Sequence, residues 1–333
     1  MALVQRQGNR LQLRQALSEP LPEECFREGE LVRPDLVGDR LRQLLKQNHL
    51  KARHTVMALP TQEATTRLIP LPAELEDADL EAMLMHQEAA LYLPYAREEA
   101  DLDYLKLDYF IDIDEIEKVN VLMVATRKVV TDRYLEVCRG AGLSLSVLEP
   151  GVFALIRTLR EPLRRFGPQD GVVLISLNPT NTDISILVDS IPRFSRVIPS
   201  GGWHLLTLTD RAQGLIAPPD LERLLSIPVQ LGDDAATASP TEQALLRGLR
   251  DLEDELRRSV DFYLSQDTQM EVAQIYLSGP VAALSGLADY FTERLGLPTS
   301  LVDPSEVLGL EGQGSATHRP ALATAIGLAL REV

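Results

Sequence analysis

The stretch Val172–Gly202, "VVLISLNPTNTDISILVDSIPRFSRVIPSGG", decides how the rest of the chain is read. Three short apolar runs are separated by two polar turns, and a Pro-Ser-Gly-Gly corner closes the segment. The pattern predicts three strands in succession. A strand, a Thr/Asn turn and a second strand form the device that wraps backbone N–H groups around a phosphate. Such a site places a carboxylate at the end of the first strand to hold a metal or a water, and here that place is Ser176. The segment thus has the shape of a nucleotide turn without its acid.

Bulk composition narrows the setting. A chain of 333 residues is long enough for two domains or one bilobed domain. Its 45% hydrophobic and 25% charged content suits a globular protein with a real core. A formal charge of −16 repels phosphate backbones and anionic lipid, which argues against nucleic acid and direct membrane adsorption. Cys25 and Cys138 form no CxxC pair, so neither a disulfide framework nor a zinc site is indicated. No signal pattern opens the chain and no apolar run approaches about 18 residues, so the expectation is a reduced, cytoplasmic protein.

Outward from the meander, the two halves follow one order. In the first half "ALVQRQGNRLQLRQAL" alternates around Gly8-Asn9 and predicts a hairpin. Pro34 starts a helix with Leu36, Val37, Leu41, Leu44 and Leu45 on its apolar face. The strand "HTVMALP" and a second strand, "TTRLIPLP", follow, and then a helix from about Asp77 to Leu91 whose core stripe is Leu80, Met83, Leu84 and Leu91. Strands "LDYLKLDYF" and "KVNVLMVAT" flank the acidic turn Asp112–Glu117; this turn lacks the glycine of a calcium loop and reads as an exposed hairpin tip. A helix at Lys128–Gly142, the strand "LSLSVLEP" and a helix at Gly151–Phe166 complete this half. After "GPQDG" come the three strands and a helix from Gly202 to about Ala212. Loops with short helices fill 214–240, and a charged helix runs from Thr241 to Leu264. The strand "QIYLSG", the helix "LSGLADYFTERLG", the strand "TSLVDP" and a closing helix "THRPALATAIGLALREV" end the chain. Such a duplication points to a bilobed α/β fold. The first half lacks one strand, the opening one, and the turn that follows it.

Several stretches carry a close resemblance: "ALPTQEATTRLIPLPAEL", "HQEAALYLPYAREEADLDY", "VLMVATRK", "IPRFSRVIPSGG", "ELRRSVDFY", "LSGPVAALSGLADYFTERLGLP" and "AIGLALR". In this order, over almost the whole chain, they resemble the PilM family of actin-like proteins of type IV pilus assembly. Relatives are the division protein FtsA and the cytoplasmic part of the type II secretion L protein. The resemblance implies a two-lobed, actin-like (ribonuclease H-like) α/β fold with an FtsA-type inserted subdomain. It divides the chain into a first-lobe core (1–61 and 128–168), the insert (62–127), a second-lobe core (169–213 and 265–314), its insertion (214–264) and a C-terminal helix (315–333). In the family's sheet the absent opening strand is central, so its loss leaves a gap of roughly 9–10 Å or makes the hairpin slide across. The natural chain is expected to begin further upstream.

In this family ATP with Mg lies in the cleft between the lobes. The resemblance maps the second phosphate turn onto Asn178, Pro179, Thr180, Asn181 and Thr182, with Ser176-Leu177-Asn178 in place of Asp-Ile-Gly. Asn takes the required backbone shape less readily than Gly, so phosphate binding here competes with an ordinary hairpin turn. Gly201 and Gly202 begin a helix that could offer N–H groups to an anion. The adenosine loop maps onto Ser278-Gly279-Pro280, where Pro280 removes a donor. Glu255 and Arg258 occupy the helix that borders the base and ribose. On that helix Glu253→Arg257 and Asp254→Arg258 stand at i,i+4 spacing and read as a solvated, self-paired face. "GLEGQG" (Gly309–Gly314) reads as a loop. The five histidines, at 49, 54, 86, 204 and 318, have no ligand spacing, and no catalytic set is indicated.

The resemblance implies an assembly adaptor serving pilus function and twitching motility, with nucleotide binding weak or structural and no catalytic residues. Its partner is the cytoplasmic N-terminal peptide of PilN, docked in a groove that involves Leu59–Leu71 and the neighbouring Asp77–Leu91 helix. The adaptor links the inner-membrane complex to the pilus motor ATPases, stays cytoplasmic and peripheral to the membrane through its partner, and has self-association open to it. An active ATPase or small-molecule kinase of the same fold is the rival, and a division or secretion scaffold is the third alternative.

Overall fold

The structure, a computed structural model, describes the chain apart from residues 8–9, 28, 113, 231–237, 267–269, 310–319 and 333. Strands β1 (Ala2–Gln7) and β2 (Arg10–Ala16) pair antiparallel as the expected hairpin. A two-residue ladder, β3 (Phe26–Arg27) with β4 (Glu30–Leu31), precedes α1 (Pro34–Gln47) and is too short for a periodic pattern to announce. Then come β5 (His54–Leu59), β6 (Ala64–Pro72), α2 (Asp77–Met83), a π-helical turn (Leu84–Glu88), α3 (Ala89–Tyr92), β7 (Ala100–Ile111), β8 (Glu117–Arg127), α4 (Lys128–Ala141) and β9 (Ser144–Pro150). The remainder holds α5 (Gly151–Thr158), α6 (Arg160–Leu163), β10 (Asp170–Leu177), β11 (Thr182–Val188), β12 (Ile191–Ile198), α7 (Gly202–Gln213), α8 (Leu221–Leu225) and α9 (Pro240–Leu264). It ends with β13 (Glu271–Ser278), α10 (Leu287–Leu295), β14 (Thr299–Leu301), α11 (Pro304–Leu308) and α12 (Ala323–Ala329). The closing helix is shorter than the sequence suggests: short 3-10 turns flank α12, and the segment before them lies outside the described residues. So does most of "GLEGQG", although Gly309 is seen to end α11 in the left-handed conformation. Packing gathers the chain into two compact units, Met1–Glu19 with Gly151–Val333, and Pro20–Pro150.

The first unit is built on a five-stranded sheet in the order β12-β11-β10-β13-β14. The meander β10-β11-β12 is antiparallel, while β13 and β14 join in parallel. Strand β10 is central and buried on both faces, which is why it reads as an unbroken apolar run. Val173, Ile175 and Leu177 pack with Leu205, Leu249, Leu256 and Phe291 from the helices on one side. Val172 and Leu174 pack with Leu155, Leu159 and Ala323 on the other. Each such side chain contributes about 1.5–3 kcal/mol relative to exposure. The hairpin β1-β2 adds Val4 and Leu13 to a small core with Leu322 and Ile326 of the C-terminal segment. No described strand joins it to β5-β9, which form a separate two-stranded sheet.

The second unit carries the β5-β9 pair and the inserted sheet β6-β8-β7. Ile69, Leu71, Val119, Val121 and Met123 of that sheet bury against Leu80, Leu84 and Ala89. Leu91, expected on this stripe, is instead 75% exposed. The π turn at Leu84–Glu88 inserts an extra residue, so the buried face passes from Leu84 to Ala89 and rotates away from Leu91. At the β7-β8 tip the Asp112 carboxylate accepts the amides of Asp114 and Ile116 and pairs with Lys118 at 2.6 Å, so the turn folds onto its own acid.

Helix α9 begins as its sequence dictates. Ser239 Oγ accepts from the Glu242 amide at 3.3 Å, and the Glu242 carboxylate accepts from the Ser239 amide at 2.7 Å, with Pro240 at the first helical position. Of the charged face expected to be solvated and self-paired, Asp254, Arg257 and Arg258 are exposed and Glu253 pairs with Arg257, but Glu253 itself is buried. Glu253 is 3% exposed and accepts from Arg257 (3.1 Å), Arg294 Nε (3.0 Å) and the Tyr290 hydroxyl (3.3 Å), tying α9 to α10. Arg258 pairs with Glu255, its i−3 neighbour, at 2.6 Å and not with the expected Asp254. Burial pushes the Glu253 carboxyl up, but the hydrogen bonds from Arg294 and Arg257 outweigh it and hold it below the usual range. A carboxyl lowered by folding stabilises fully above its unfolded pKa and loses that contribution as pH falls through the folded value. Glu253→Gln is therefore expected to cost about 1.5–3 kcal/mol at neutral pH, as for loss of hydrogen bonds to a charged group, with the deficit shrinking as pH falls below the ordinary glutamate range at about 4.3. Urea unfolding of both proteins across that range measures it, and a pH-independent difference would refute the pairing.

Candidate functional site

Apart from Glu255 and Arg258, the sites marked in the sequence converge at the carboxyl ends of β10 and β13, where an open α/β sheet presents ligand-binding loops. The β10-β11 turn carries Asn178, Pro179, Thr180 and Asn181, and Thr182 opens β11. Beside it lie Gly201-Gly202 at the start of α7 and Ser278-Gly279 at the end of β13. Ser176 and Ser278 are direct partners in the parallel β10-β13 ladder.

The turn is closed on itself. The Asn178 amide donates to Asn181 O at 2.9 Å. Asn178 Nδ2 and Asn181 Nδ2 donate to the two oxygens of Asp183, at 2.9 and 3.1 Å. Asp183 is the cross-strand partner of Ser176, so a carboxylate does stand next to the place of the missing acid. Its two oxygens are engaged in clamping the turn. Sequence reading passed over Asp183 because the family's acid belongs to β10. The pairing of strands separated by a short turn was the signal that could have found it. Thr182 Oγ1 donates to Ser200 O at 2.7 Å and pins the β12 end to the same corner.

Helix α7 begins against this turn. Its first two amides, which a helix leaves without internal acceptors, are satisfied by the turn: Gly202 N donates to Asn178 O (3.0 Å) and Trp203 N to Pro179 O (2.7 Å), while His204 N and Leu205 N reach the Gly201 carbonyl. The anion-binding capacity of this helix end is spent on the carbonyls of the phosphate turn. Gly201 permits the contact, since a Cβ there would stand 2.5 Å from both Asn178 O and Asn181 N. Gly202 meets Val281, to which an added Cβ would come within 2.7 Å. Both glycines are explained by packing.

Ser278 is 1% exposed and its hydroxyl reaches Ile175 O at 3.4 Å, inside the sheet. Gly279 has φ +87°, and a Cβ on it would lie 2.4 Å from Leu177 O, so this glycine lets β13 turn tightly over the end of β10. Glu255 and Arg258 are not brought into the cluster by any bond. Glu255 accepts from Arg258 at 2.6 Å and from Arg196 of edge strand β12 at 3.0 Å. The Arg258 hydrogen bond, more than the partial burial that opposes it, holds the Glu255 carboxyl below its ordinary range.

The second unit offers a different kind of surface. Strand β6 pairs with β8 alone, and β5 with β9 alone, so each has one edge without a strand partner among the described residues. The Thr61–Glu63 turn joins these two strands directly. The segment Leu59–Leu71 anticipated as a groove wall thus runs from the end of β5 through this turn into β6, with Leu59, Ile69 and Leu71 buried.

The model of the family described as "Type IV pilus assembly protein PilM" matches residues 1–333. The chain belongs to the PilM family. A solved structure described as a "PilM-PilN type IV pilus biogenesis complex" is 27% identical to this PilM-family protein, covering 99% of this chain and 94% of that one, with a TM-score of 0.81. Structures of MreB5 of Spiroplasma citri bound to ADP and of the same protein bound to AMPPNP are 13% and 12% identical; each covers 90% of this chain and 76% of that one at a TM-score of 0.50. At that identity the likeness is one of fold, and the expected actin-like α/β fold is the one found.

The closed turn makes a direct prediction. Gly201→Ala forces a Cβ into Asn178 O and Asn181 N and should lower stability by about 1–3 kcal/mol. Hydrogen exchange should quicken first at the Gly202 and Trp203 amides. Unchanged melting and unchanged exchange would mean that the turn and helix are not locked together.

Proposed function

We propose that this PilM-family protein is an adaptor of type IV pilus assembly that holds the cytoplasmic N-terminal peptide of a PilN-like membrane protein. The observation that carries the proposal is the unpartnered edge of β6, the strand that follows the Thr61–Glu63 turn. An extended peptide laid there satisfies its backbone on a strand edge and its apolar side chains against half-buried Leu68. A structural relative solved as a PilM-PilN complex, 27% identical over nearly the full chain, supports the choice of partner. Among the described residues no helix is long and apolar enough to cross a membrane, so attachment through such a partner is the arrangement proposed. The adaptor works on the cytoplasmic side and hands its contact on to the pilus motor ATPases.

Nucleotide has a minor part in this proposal. On this reading Asn178–Thr182, Gly201, Gly202, Ser278 and Gly279 would face ATP and Mg, but the Asn178, Gly202 and Gly279 amides and the Asn178 and Asn181 side-chain amides are engaged internally. Binding is therefore weak or structural, and turnover negligible. The rival, an active ATPase, requires the clamp on Asp183 to open.

Two measurements test this. Calorimetric titration with a synthetic PilN N-terminal peptide should give a saturable 1:1 isotherm; no heat and no complex at about 100 μM would remove the adaptor. Titration with a fluorescent ATP analogue and Mg²⁺ should give no affinity tighter than about 100 μM and no phosphate release. Micromolar affinity with turnover would establish the ATPase instead.

A further inference from the structure

The crease where β5 hands over to β6 contains a carboxylate without a partner. Glu63 ends the Thr61–Glu63 turn, and its backbone carbonyl is held by Thr126 Oγ1 at 2.7 Å. Its side chain points inward: both carboxylate oxygens are buried, and neither has a hydrogen-bond partner among the described residues. Thr131 Oγ1, one turn before Tyr134 on α4, is likewise buried and unpartnered. Buried polar atoms left unsatisfied are rare in native proteins, and a buried carboxylate is among the costliest.

The charges around Glu63 do not balance. The titratable groups facing it are Glu30 from β4 and Arg133 and Tyr134 from α4. Arg133 leans toward Glu30, at a long 3.4 Å. Two carboxylates thus share one guanidinium, and Tyr134, 5% exposed, brings no positive charge. The protein as a whole, at −16, adds to the negative field. The crease is one cation short.

We infer that Glu63 is the receptor for a single cationic side chain, lysine or arginine, carried by the partner segment that lies along the β6 edge. This rests on the adaptor function proposed above and adds to it the chemistry by which the segment is set in register: backbone pairing along the edge tolerates any residue, whereas one buried ion pair does not.

The pairing also has a proton signature. Burial first, then the neighbouring Glu30, raises the Glu63 carboxyl in the free protein, and Arg133 opposes them. A cation seated beside it lowers that value, so association releases a proton. Affinity should therefore weaken as pH falls through the raised Glu63 pKa and level off above it.

The test is a titration of wild type and Glu63→Gln with the PilN N-terminal peptide, over a range of pH. Glu63→Gln keeps the shape and removes a buried charge, so its melting temperature should be equal or higher, which separates binding from folding. The variant should bind at least about tenfold more weakly, as for loss of a charge-assisted hydrogen bond, and should lose the pH dependence. Peptides with each basic residue replaced in turn by glutamine should include one that weakens wild type about tenfold and Glu63→Gln hardly at all. Equal binding by wild type and Glu63→Gln overturns this inference alone and leaves the adaptor standing. A loss of affinity with no coupling to any basic residue overturns the assignment of a cation. No complex with the wild-type protein overturns the adaptor and, with it, the role given to Glu63.

Discussion

The burial of β10 on both faces is the constraint from which the larger unit is organised. A strand with Val172 and Leu174 packed one way and Val173, Ile175 and Leu177 the other admits no register slip, because a shift of one residue would exchange two full cores. Its fixed end then determines everything at the candidate nucleotide corner. The β10-β11 turn must reverse there, α7 must start there, and the tight bend after β13 must cross Leu177 O. Three segments far apart in the chain thus compete for one small volume, and small residues at Gly201, Gly202 and Gly279 resolve the competition.

At this corner the polar accounts are settled internally. Asp183 receives both asparagine amides, and the carbonyls of Asn178 and Pro179 receive the first two amides of α7. A helix N-terminus attracts an anion because its N–H groups lack acceptors; once supplied with carbonyls, the attraction is largely used up. The contrast with the second unit is physical. There the unfinished bonding lies at the strand edge of β6 and at the Glu63 carboxylate, which is where an added chain has something to complete.

Much of this architecture was legible in advance because the elements are long and periodic. The meander, the helix start at Pro34, the left-handed stop at Gly142 and the strand pair β7-β8 all follow from local chemistry. The errors share a cause as well. Leu91 was assigned to the core by counting 3.6 residues per turn through a segment that contains a π turn. Glu253 was read as solvated because i,i+4 spacing sees only its own helix, whereas Arg294 and Tyr290 arrive from α10. The turn residues Asn178–Thr182 were located correctly as a turn, but which partner their side chains choose depends on β11 and on α7.

What the amino-acid order determined by itself was the fold class, the order of elements and the family, since hydrophobic periodicity, capping residues and motif order are properties of neighbours in the chain. What tertiary structure alone decided was which polar groups are already spent and which are left over. That distinction separates Asp183, clamped by two asparagines, from Glu63, facing one arginine that leans elsewhere. Both are acids at the ends of turns, and only the segments packed around them, contributed from distant parts of the chain, make one a structural clasp and the other an open valence.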